Sequence, residues 1–441
     1  MAHQATNIPW NTLASHLKWS VAKHHPENGD LHLRFKPDQG KQFHYFVEAF
    51  ARNIRRHSAT ARKRYPEAYE APKPDDILLD DAVVRKITPG VHRFRSRIEW
   101  DYAPLGRSVL PPKGGLCTHG GGDIRCHCPI PNSERKAVAF YRPRRFNNCF
   151  HFFEENGDGF FTLELVKTLL MDGEMDIILR ICASPDVQLW HWWRLGMCEC
   201  EPDDVGWDMI VKAALLAYIA LNVVYCFPET WDTASGRTDE KDYRRMRIYQ
   251  YMVRNCTLGG TASEVVTYPH RRFFDVEDNQ FVIGRDARNF KQYAGRGGSE
   301  FYPYGRLSFQ DFLACEVRTA PKPARSAMRA ARRALHSKGL PTELVLEILE
   351  FAGLTEAATS SLEVPYDPFH PRNWDELAKY LRHCWELLVR CDMLATALGQ
   401  AIPWHTMISE ALIGLFSCRE PGVPEPRRWY ERDQDGRVTF R

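Results

Sequence analysis

The sequence predicts an α+β fold in which helices dominate. Amphipathic helical patterns at residues 43–54 and 377–398, and a nearly uniform apolar run at residues 209–227, predict the main helices. Residues 77–146 are rich in β-branched residues, glycine and proline, which is typical of turn-rich β hairpins. The chain has 441 residues, 44% of them hydrophobic, so it can bury substantial cores.

The same signals divide the chain into five predicted parts. The linker-like sequence APKPDD separates the first two, and a basic stretch introduces the last helical part. The parts are a basic helical N-terminal region (1–75), a mixed α/β middle domain (76–317), a basic connector (318–338), a C-terminal helical module (339–418) and a frayed tail (419–441).

The N-terminal region is predicted to contain one strongly amphipathic helix. Its apolar residues share one helical face, namely Phe43, Phe46, Val47, Phe50 and Ile54. Strand signals then follow in the middle domain, at AVVRKI (82–87), VHRFRSRIEW (91–100) and KAVAFYRP (136–143). We expect the hairpins of the middle domain there.

The apolar run Met209–Phe227 is long enough to suggest a membrane span. It contains Lys212 and Asn222, however, and Asp208 directly precedes it, so little of it would span comfortably. We therefore predict a helix buried in the core of the middle domain, and no membrane partner.

Charge and cysteine content limit the possible partners and compartments. The net charge of +3 arises from 59 basic and 56 acidic residues, which gives no overall attraction to nucleic acid, and no specific nucleic-acid partner is predicted. The N-terminus has no secretory pattern, and the 13 cysteines are odd in number and scattered. Reduced thiols, and a cytoplasmic or nuclear location, are expected.

The segment CTHGGGDIRCHC is the best candidate for a metal site. If Gly120–Asp123 forms a hairpin turn, the alternation of side chains places Cys117, His119, Cys126 and Cys128 on one face. Three thiols and one imidazole are a suitable donor set for structural zinc. The alternative is a group of buried thiols in a turn-rich region.

Two other segments have a structural and a functional interpretation. Leu189–Leu195, LWHWWRL, is predicted to fill core, and the alternative is an exposed recognition groove. The basic connector is predicted to be a solvated alanine-rich helix. Its alternatives are a nuclear-import signal or a contact with an anionic surface.

The C-terminal module is predicted to contain a long helix beginning after Asn373, with Glu376 in capping-box position. Gly399 is expected to end this helix. Before it, residues 339–353 form a shorter amphipathic helix that Pro341 can start. Its inward stripe is predicted to comprise Leu340, Leu344, Ile348, Phe351 and Ala352, widened by Val345 and Leu349. Leu346 lies on the opposite, charged side.

The shorter helix carries the pattern L-P-x-E-L-x-x-x-I-L, and LRHCWELLV follows downstream at residues 381–389. These segments resemble the F-box, the module that docks substrate adaptors onto cullin–RING ubiquitin ligases, in the degenerate form found in filamentous fungi. The resemblance implies that residues 339–353 contact a ligase adaptor subunit, through Leu340, Pro341, Glu343 and Leu346. The larger N-terminal body would then select a target protein.

The function expected from the sequence is therefore that of a non-enzymatic interaction adaptor, for which the resemblance implies the role of substrate-recognition subunit in a cullin–RING ubiquitin ligase. One alternative is a zinc-stabilised interaction protein with no ligase connection. The other is an enzyme whose motifs are not recognised, because no phosphate loop, nucleophile elbow or zinc-protease motif is present in the sequence. No catalytic residue and no cofactor other than the possible zinc are predicted.

Overall fold

The computed structural model describes residues 8–22, 25–33, 40–88, 90–91, 130–143, 153–195, 205–238, 241–246, 248–249, 252, 256, 325–352, 369–416, 430–434 and 438–440. The longer elements are, in chain order, α1 (Trp10–Ser15), β1 (Leu17–Ala22), β2 (His25–Leu33), α2 (Gly40–Arg62), α3 (Phe153–Asp172), α4 (Met175–Cys182), α5 (Asp208–Tyr225), α6 (Arg325–Ser337), α7 (Thr342–Phe351), α8 (Trp374–Ala397), α9 (Trp404–Phe416), β3 (Tyr430–Arg432) and β4 (Val438–Phe440). Short helical turns occupy Asn132–Arg135, Ala137–Phe140, Leu189–Trp192, Pro228–Thr230, Thr233–Ser235 and Tyr243–Arg245. Helices dominate, as predicted, and the strands among the described residues are few and short.

Helix α5 lies at the centre of the core, where α8 and α9 pack against it and Phe50 of α2 contacts its Tyr218 ring. Lys212 and Asn222, the polar side chains within its apolar run, have local partners. Lys212 forms an ion pair with Asp208 at 2.8 Å, and the Asn222 amide donates to the Tyr218 carbonyl at 2.7 Å. Among the described residues, α5 is the one helix long and apolar enough to cross a membrane, and 83% of it is buried inside the protein. The prediction of a buried core helix is confirmed.

Aromatic side chains join the central helices. The Tyr218 ring of α5 lies 5.4 Å from Trp385 of α8 and 5.6 Å from Trp10 of α1, measured between ring centroids. Phe50 of α2 stacks on Trp385 at 6.1 Å. Such pairs add to the free energy gained by burying large apolar surfaces. The predicted apolar face of α2, which includes Phe50, is buried throughout.

Helix α8 begins and ends where the sequence predicted. Gly399 has a φ of +67°, a conformation that favours glycine and ends the helix. The side chain of Asn373 does not cap the helix, whereas its carbonyl accepts from the N–H of Leu377 at 2.9 Å. Helix α8 shares the main core with α2 and α5, and the buried residues of α7 are not part of that core.

A buried ionic cluster holds the start of α8. The Asp242 carboxylate is fully buried, accepts from the Arg244 guanidinium at 3.0 Å and forms an ion pair with Arg237 at 2.6 Å. Close by, Arg372 pairs with Asp232 at 2.7 Å and joins the 3₁₀ turns to the entrance of α8. Two arginines satisfy the one buried carboxylate, as buried charges require.

Two predicted strand segments are helical instead. Residues 81–88 form a helix because the Asp80 carboxylate accepts the N–H groups of Ala82 and Val83, both at 2.8 Å. Val84 and Ile87 are then buried at helical spacing. The segment KAVAFYRP contains the 3₁₀ turn Ala137–Phe140. The remaining predicted hairpin segments, residues 92–129, lie outside the described residues.

The described strands form two antiparallel hairpins near the chain ends, β1–β2 and β3–β4. The first lies within the region predicted to be helical. The second lies within the predicted frayed tail and is packed: Val438 and Phe440 are buried, and His44 of α2 accepts the Phe440 N–H at 3.2 Å. The alternation of Val438, Thr439 and Phe440 buries one face of the strand, which explains why this part of the tail is ordered against α2.

Candidate functional site

A cleft of about 700 Å³ opens between α2, α4 and α8. Its apolar lining includes Leu179, Met393 and Ile402, all three buried. Its volume falls in the range of small-molecule sites, which combine apolar walls with a few polar groups. The polar groups therefore decide what the cleft can bind.

Asp392 is the buried charge of the cleft. The residue is only 9% exposed, and its Oδ1 accepts from the Trp404 indole N–H at 2.6 Å. Its other oxygen, Oδ2, has no hydrogen-bond or ion-pair partner in the described part of the chain. A buried carboxylate with a single donor is unusual, because charged groups taken out of water are normally paired.

The other polar groups of the lining are mostly occupied. The Arg62 guanidinium donates to the carbonyls of Pro66 and Glu67, at 2.7 and 3.0 Å, and so holds the loop that follows α2. The Tyr69 hydroxyl donates to Asp176 at 2.5 Å; burial and this hydrogen bond raise the Tyr69 pKa well above its usual value. These contacts shape the wall of the cleft.

Two lining groups differ in their availability. Arg55 of α2 is exposed and makes no hydrogen bond or ion pair with any described residue. Burial raises the pKa of the Cys182 thiol to about 12, so the sulfur stays protonated at neutral pH and is a poor nucleophile. Among the described residues, the cleft thus presents Arg55 as a cation without a partner and Asp392 as a carboxylate with one donor, on apolar walls that suit binding.

Sequence reasoning missed this cleft, although one signal was present. Asp392 falls four residues after Leu388 and seven after Trp385, so it lies on the apolar face of α8. A carboxylate inside an apolar stripe indicates either a buried partner or a site. Arg55 carries no comparable signal, because exposed arginines are common on helices.

The residues predicted to bind a partner lie on or before α7. Pro341 immediately precedes the helix, and Glu343 and Leu346 are exposed, Leu346 by 47%. Leu340 is half-buried.

The predicted inward stripe of α7 is wrong. Val345 and Leu349 are buried, whereas Leu344, Ile348 and Phe351 are exposed, by 46%, 42% and 92%. The reason is that α7 packs against α6, and α6 covers one edge of a broad apolar arc and leaves the other edge open.

Helix α6 is the solvated basic helix that the sequence predicted for the connector. Arg329, Arg333 and Lys338 are exposed, and Met328 and Leu335 are half-buried. Gly339, with a φ of +80°, turns the chain from α6 towards α7. We call residues 325–352 the α6–α7 hairpin: one helix is basic, and the other combines exposed apolar and acidic side chains.

The predicted zinc ligands Cys117, His119, Cys126 and Cys128 lie outside the described residues, so the zinc hypothesis stays a prediction. Within the part of the chain that the structure does describe, no group of three or more His, Cys, Asp or Glu side chains is placed to hold a metal ion.

The tryptophan-rich segment belongs mainly to the core. Trp192 and Trp207 are buried, and the Trp207 indole donates to the Leu189 carbonyl at 3.0 Å. Trp190 and Trp193 are half-buried and stack on each other with centroids 5.2 Å apart. Trp207 lies outside the predicted segment, so the prediction that the tryptophans of Leu189–Leu195 fill core is confirmed for Trp192.

Fold and cleft together define a helix-dominated protein with an apolar, charge-bearing cleft and an α6–α7 hairpin that exposes apolar side chains. The sequence matches the family described as "Gramillins biosynthetic cluster protein GRA5" over residues 11–428, and the chain belongs to that family. Neither the curated proteins nor the solved structures gave a match.

The F-box resemblance is therefore wrong. The family match extends through the segments that suggested it, and no F-box family matches the chain. The packing gives a physical reason: LRHCWELLV lies in α8, inside the main core with α2 and α5, and the buried residues of α7 lie outside that core. A short L-P-x-E-L pattern arises readily in an ordinary amphipathic helix.

Proposed function

We propose that this chain is a protein-interaction adaptor that works with another protein of a biosynthetic cluster, and that the α6–α7 hairpin is the contact surface. The description of its family supplies the setting, a gramillin biosynthetic cluster. The observation that carries the proposal is the set of exposed apolar side chains on α7. A ubiquitin-ligase role is not part of it.

The exposed apolar residues are concentrated on one helix. Of the seven large hydrophobic residues that are exposed within the described residues, four belong to the ten-residue helix α7: Leu344, Leu346, Ile348 and Phe351. Single exposed leucines are common, whereas a contiguous apolar patch marks interaction surfaces. An amphipathic helix with anchors at i, i+4 and i+7 is the usual ligand of an apolar groove.

The charged residues of the α6–α7 hairpin indicate which charges border the apolar groove on the partner. Arg329 and Arg333 of α6, and Lys338 directly after it, add positive charge to the hairpin, so an acidic rim on the partner would complement them. Glu343 and Glu347 are exposed on α7 itself. These acids oppose binding to an anionic lipid surface and favour a protein partner.

The test is pairwise co-purification. The tagged full-length chain is co-expressed with each of the other proteins encoded by its cluster, and the complex is then measured with purified components. We expect one such protein to bind the wild type, and its affinity to fall at least tenfold with Leu344→Glu/Ile348→Glu/Phe351→Glu. Arg329→Glu/Arg333→Glu should slow association and reduce its dependence on salt.

The matched control is Tyr45→Glu, because Tyr45 is 59% exposed on α2, away from the hairpin. Binding should survive this change, and circular dichroism and thermal unfolding of each variant show whether it folds. Equal affinity of the triple variant would refute the proposal. The proposal would also be refuted if the wild type formed a homodimer in solution and the same substitutions made it monomeric, because the patch would then bind a second copy of this chain.

A further inference from the structure

Four charged side chains line the cleft between α2, α4 and α8, namely Arg55, Arg62, Glu67 and Asp392, and two of them, Asp392 and Arg55, do not satisfy each other. Asp392 and Arg55 both line it, yet no ion pair joins them within the described residues, and Arg55 has no other partner there. Both side chains line the same cleft, so a single ligand there can contact both of them.

The fold keeps the carboxylate in place. The Trp404 indole N–H holds Oδ1 of Asp392 at 2.6 Å, and Trp404 is itself fully buried. This contact fixes the carboxylate while Oδ2 keeps an unused acceptor. Burying a carboxylate is costly, and a cationic group bound at Oδ2 would recover part of that cost.

We propose that this cleft binds an apolar zwitterion, with the chemistry of a hydrophobic amino acid or short peptide. Its amine pairs with Asp392 Oδ2, its carboxylate pairs with the Arg55 guanidinium, and its apolar groups pack on Leu179, Met393 and Ile402. An ammonium is the natural partner of the Asp392 Oδ2 atom, and a guanidinium matches a carboxylate with two parallel hydrogen bonds. The cleft volume of about 700 Å³ leaves room for more than one residue.

The experiment measures binding of the dipeptide Leu-Phe to the full-length chain by isothermal titration calorimetry. Two blocked forms serve as comparisons, one N-acetylated and one C-amidated. We expect the free dipeptide to bind the wild type, and N-acetylation to weaken binding at least tenfold. Asp392→Asn should lower the affinity for the free dipeptide by a similar factor and leave the affinity for the N-acetylated form almost unchanged. In the same way, Arg55→Gln should abolish the preference for the free carboxylate over the amide.

Asn at position 392 keeps an oxygen for the Trp404 N–H, so this variant tests charge with little change of structure. Arg52→Gln is the matched control: Arg52 is exposed on α2, one turn before Arg55, and is not among the residues that line the cleft. Failure of the wild type to bind the free dipeptide at millimolar concentration would overturn the proposal. Equal binding of the free and N-acetylated forms would also overturn it.

Discussion

Acid should destabilise this protein through His370, which is buried in front of α8. The His370 Nδ1 accepts the Arg372 N–H at 3.1 Å, and Nε2 lies 3.2 Å from the Trp231 carbonyl. A carbonyl can only accept, so Nε2 carries the proton and the ring is neutral. Protonation would remove the acceptor at Nδ1 and place a second proton where an N–H already points.

The size of the effect follows from the pKa. Burial, then the charges of Arg244 and Arg237, lower the His370 pKa from 6.5 to about 4, while the Trp231 carbonyl and Asp242 act in the opposite direction. The unfolded chain therefore binds the proton first as the pH falls. The stabilisation is fully present above pH 6.5 and is lost as the pH falls towards 4. Between pH 7 and pH 5 the loss should be about 2 kcal/mol.

The assay is urea unfolding, followed by tryptophan fluorescence, at pH 7 and pH 5 for the wild type and His370→Gln. Glutamine keeps an N–H for the Trp231 carbonyl and does not titrate. His44 and His57 also have pKa values lowered by burial, so the wild type should lose more free energy of unfolding than His370 alone explains. The variant should lose about 2 kcal/mol less than the wild type over this interval. Equal losses in the two proteins would refute the reasoning.

Three further changes test the packing. Gly159→Ala should lower the free energy of unfolding by about 1–3 kcal/mol, because its Cβ would lie 2.4 Å from the buried Trp192 ring. Gly414→Ala is the matched helical control: outside its own helix backbone, no described residue has an atom within 4 Å of the added Cβ, so thermal unfolding should show a gain of about 0.5–1 kcal/mol. Trp404→Phe removes the donor to Asp392 and should cost about 1–3 kcal/mol in urea unfolding. If Trp404→Phe costs the same free energy of unfolding in the Asp392→Asn background, the hydrogen bond gains nothing from the charge of Asp392, which contradicts this prediction.

Periodicity in the sequence predicted the helices that form the core. The apolar residues of α2, α5 and α8 recur at helical spacing or without interruption, and burial of those residues is what holds the helices together. The strand signal at residues 82–87 was wrong because β-branched residues also fit a helix when a cap starts it. Asp80 supplies that cap from outside the segment.

The surfaces were harder to predict because they depend on neighbours distant in sequence. The apolar residues of α7 cover more than half of its circumference, so periodicity cannot say which part α6 will hide. The cleft needs residues from α2, α4 and α8, which the sequence does not place together. Only Asp392 indicated it, as a charge within an apolar face.

The two proposed surfaces differ in their relation to the core, and this difference makes their tests independent. Val345 and Leu349, the buried residues of α7, are not part of the main cluster, whereas Met393 and Ile402 of the cleft are. Hairpin substitutions should therefore leave the main unfolding transition in place. Cleft substitutions lie next to α8, and their effects on binding must be separated from effects on stability. Asp392→Asn achieves this separation because it removes the charge and keeps the contact with Trp404.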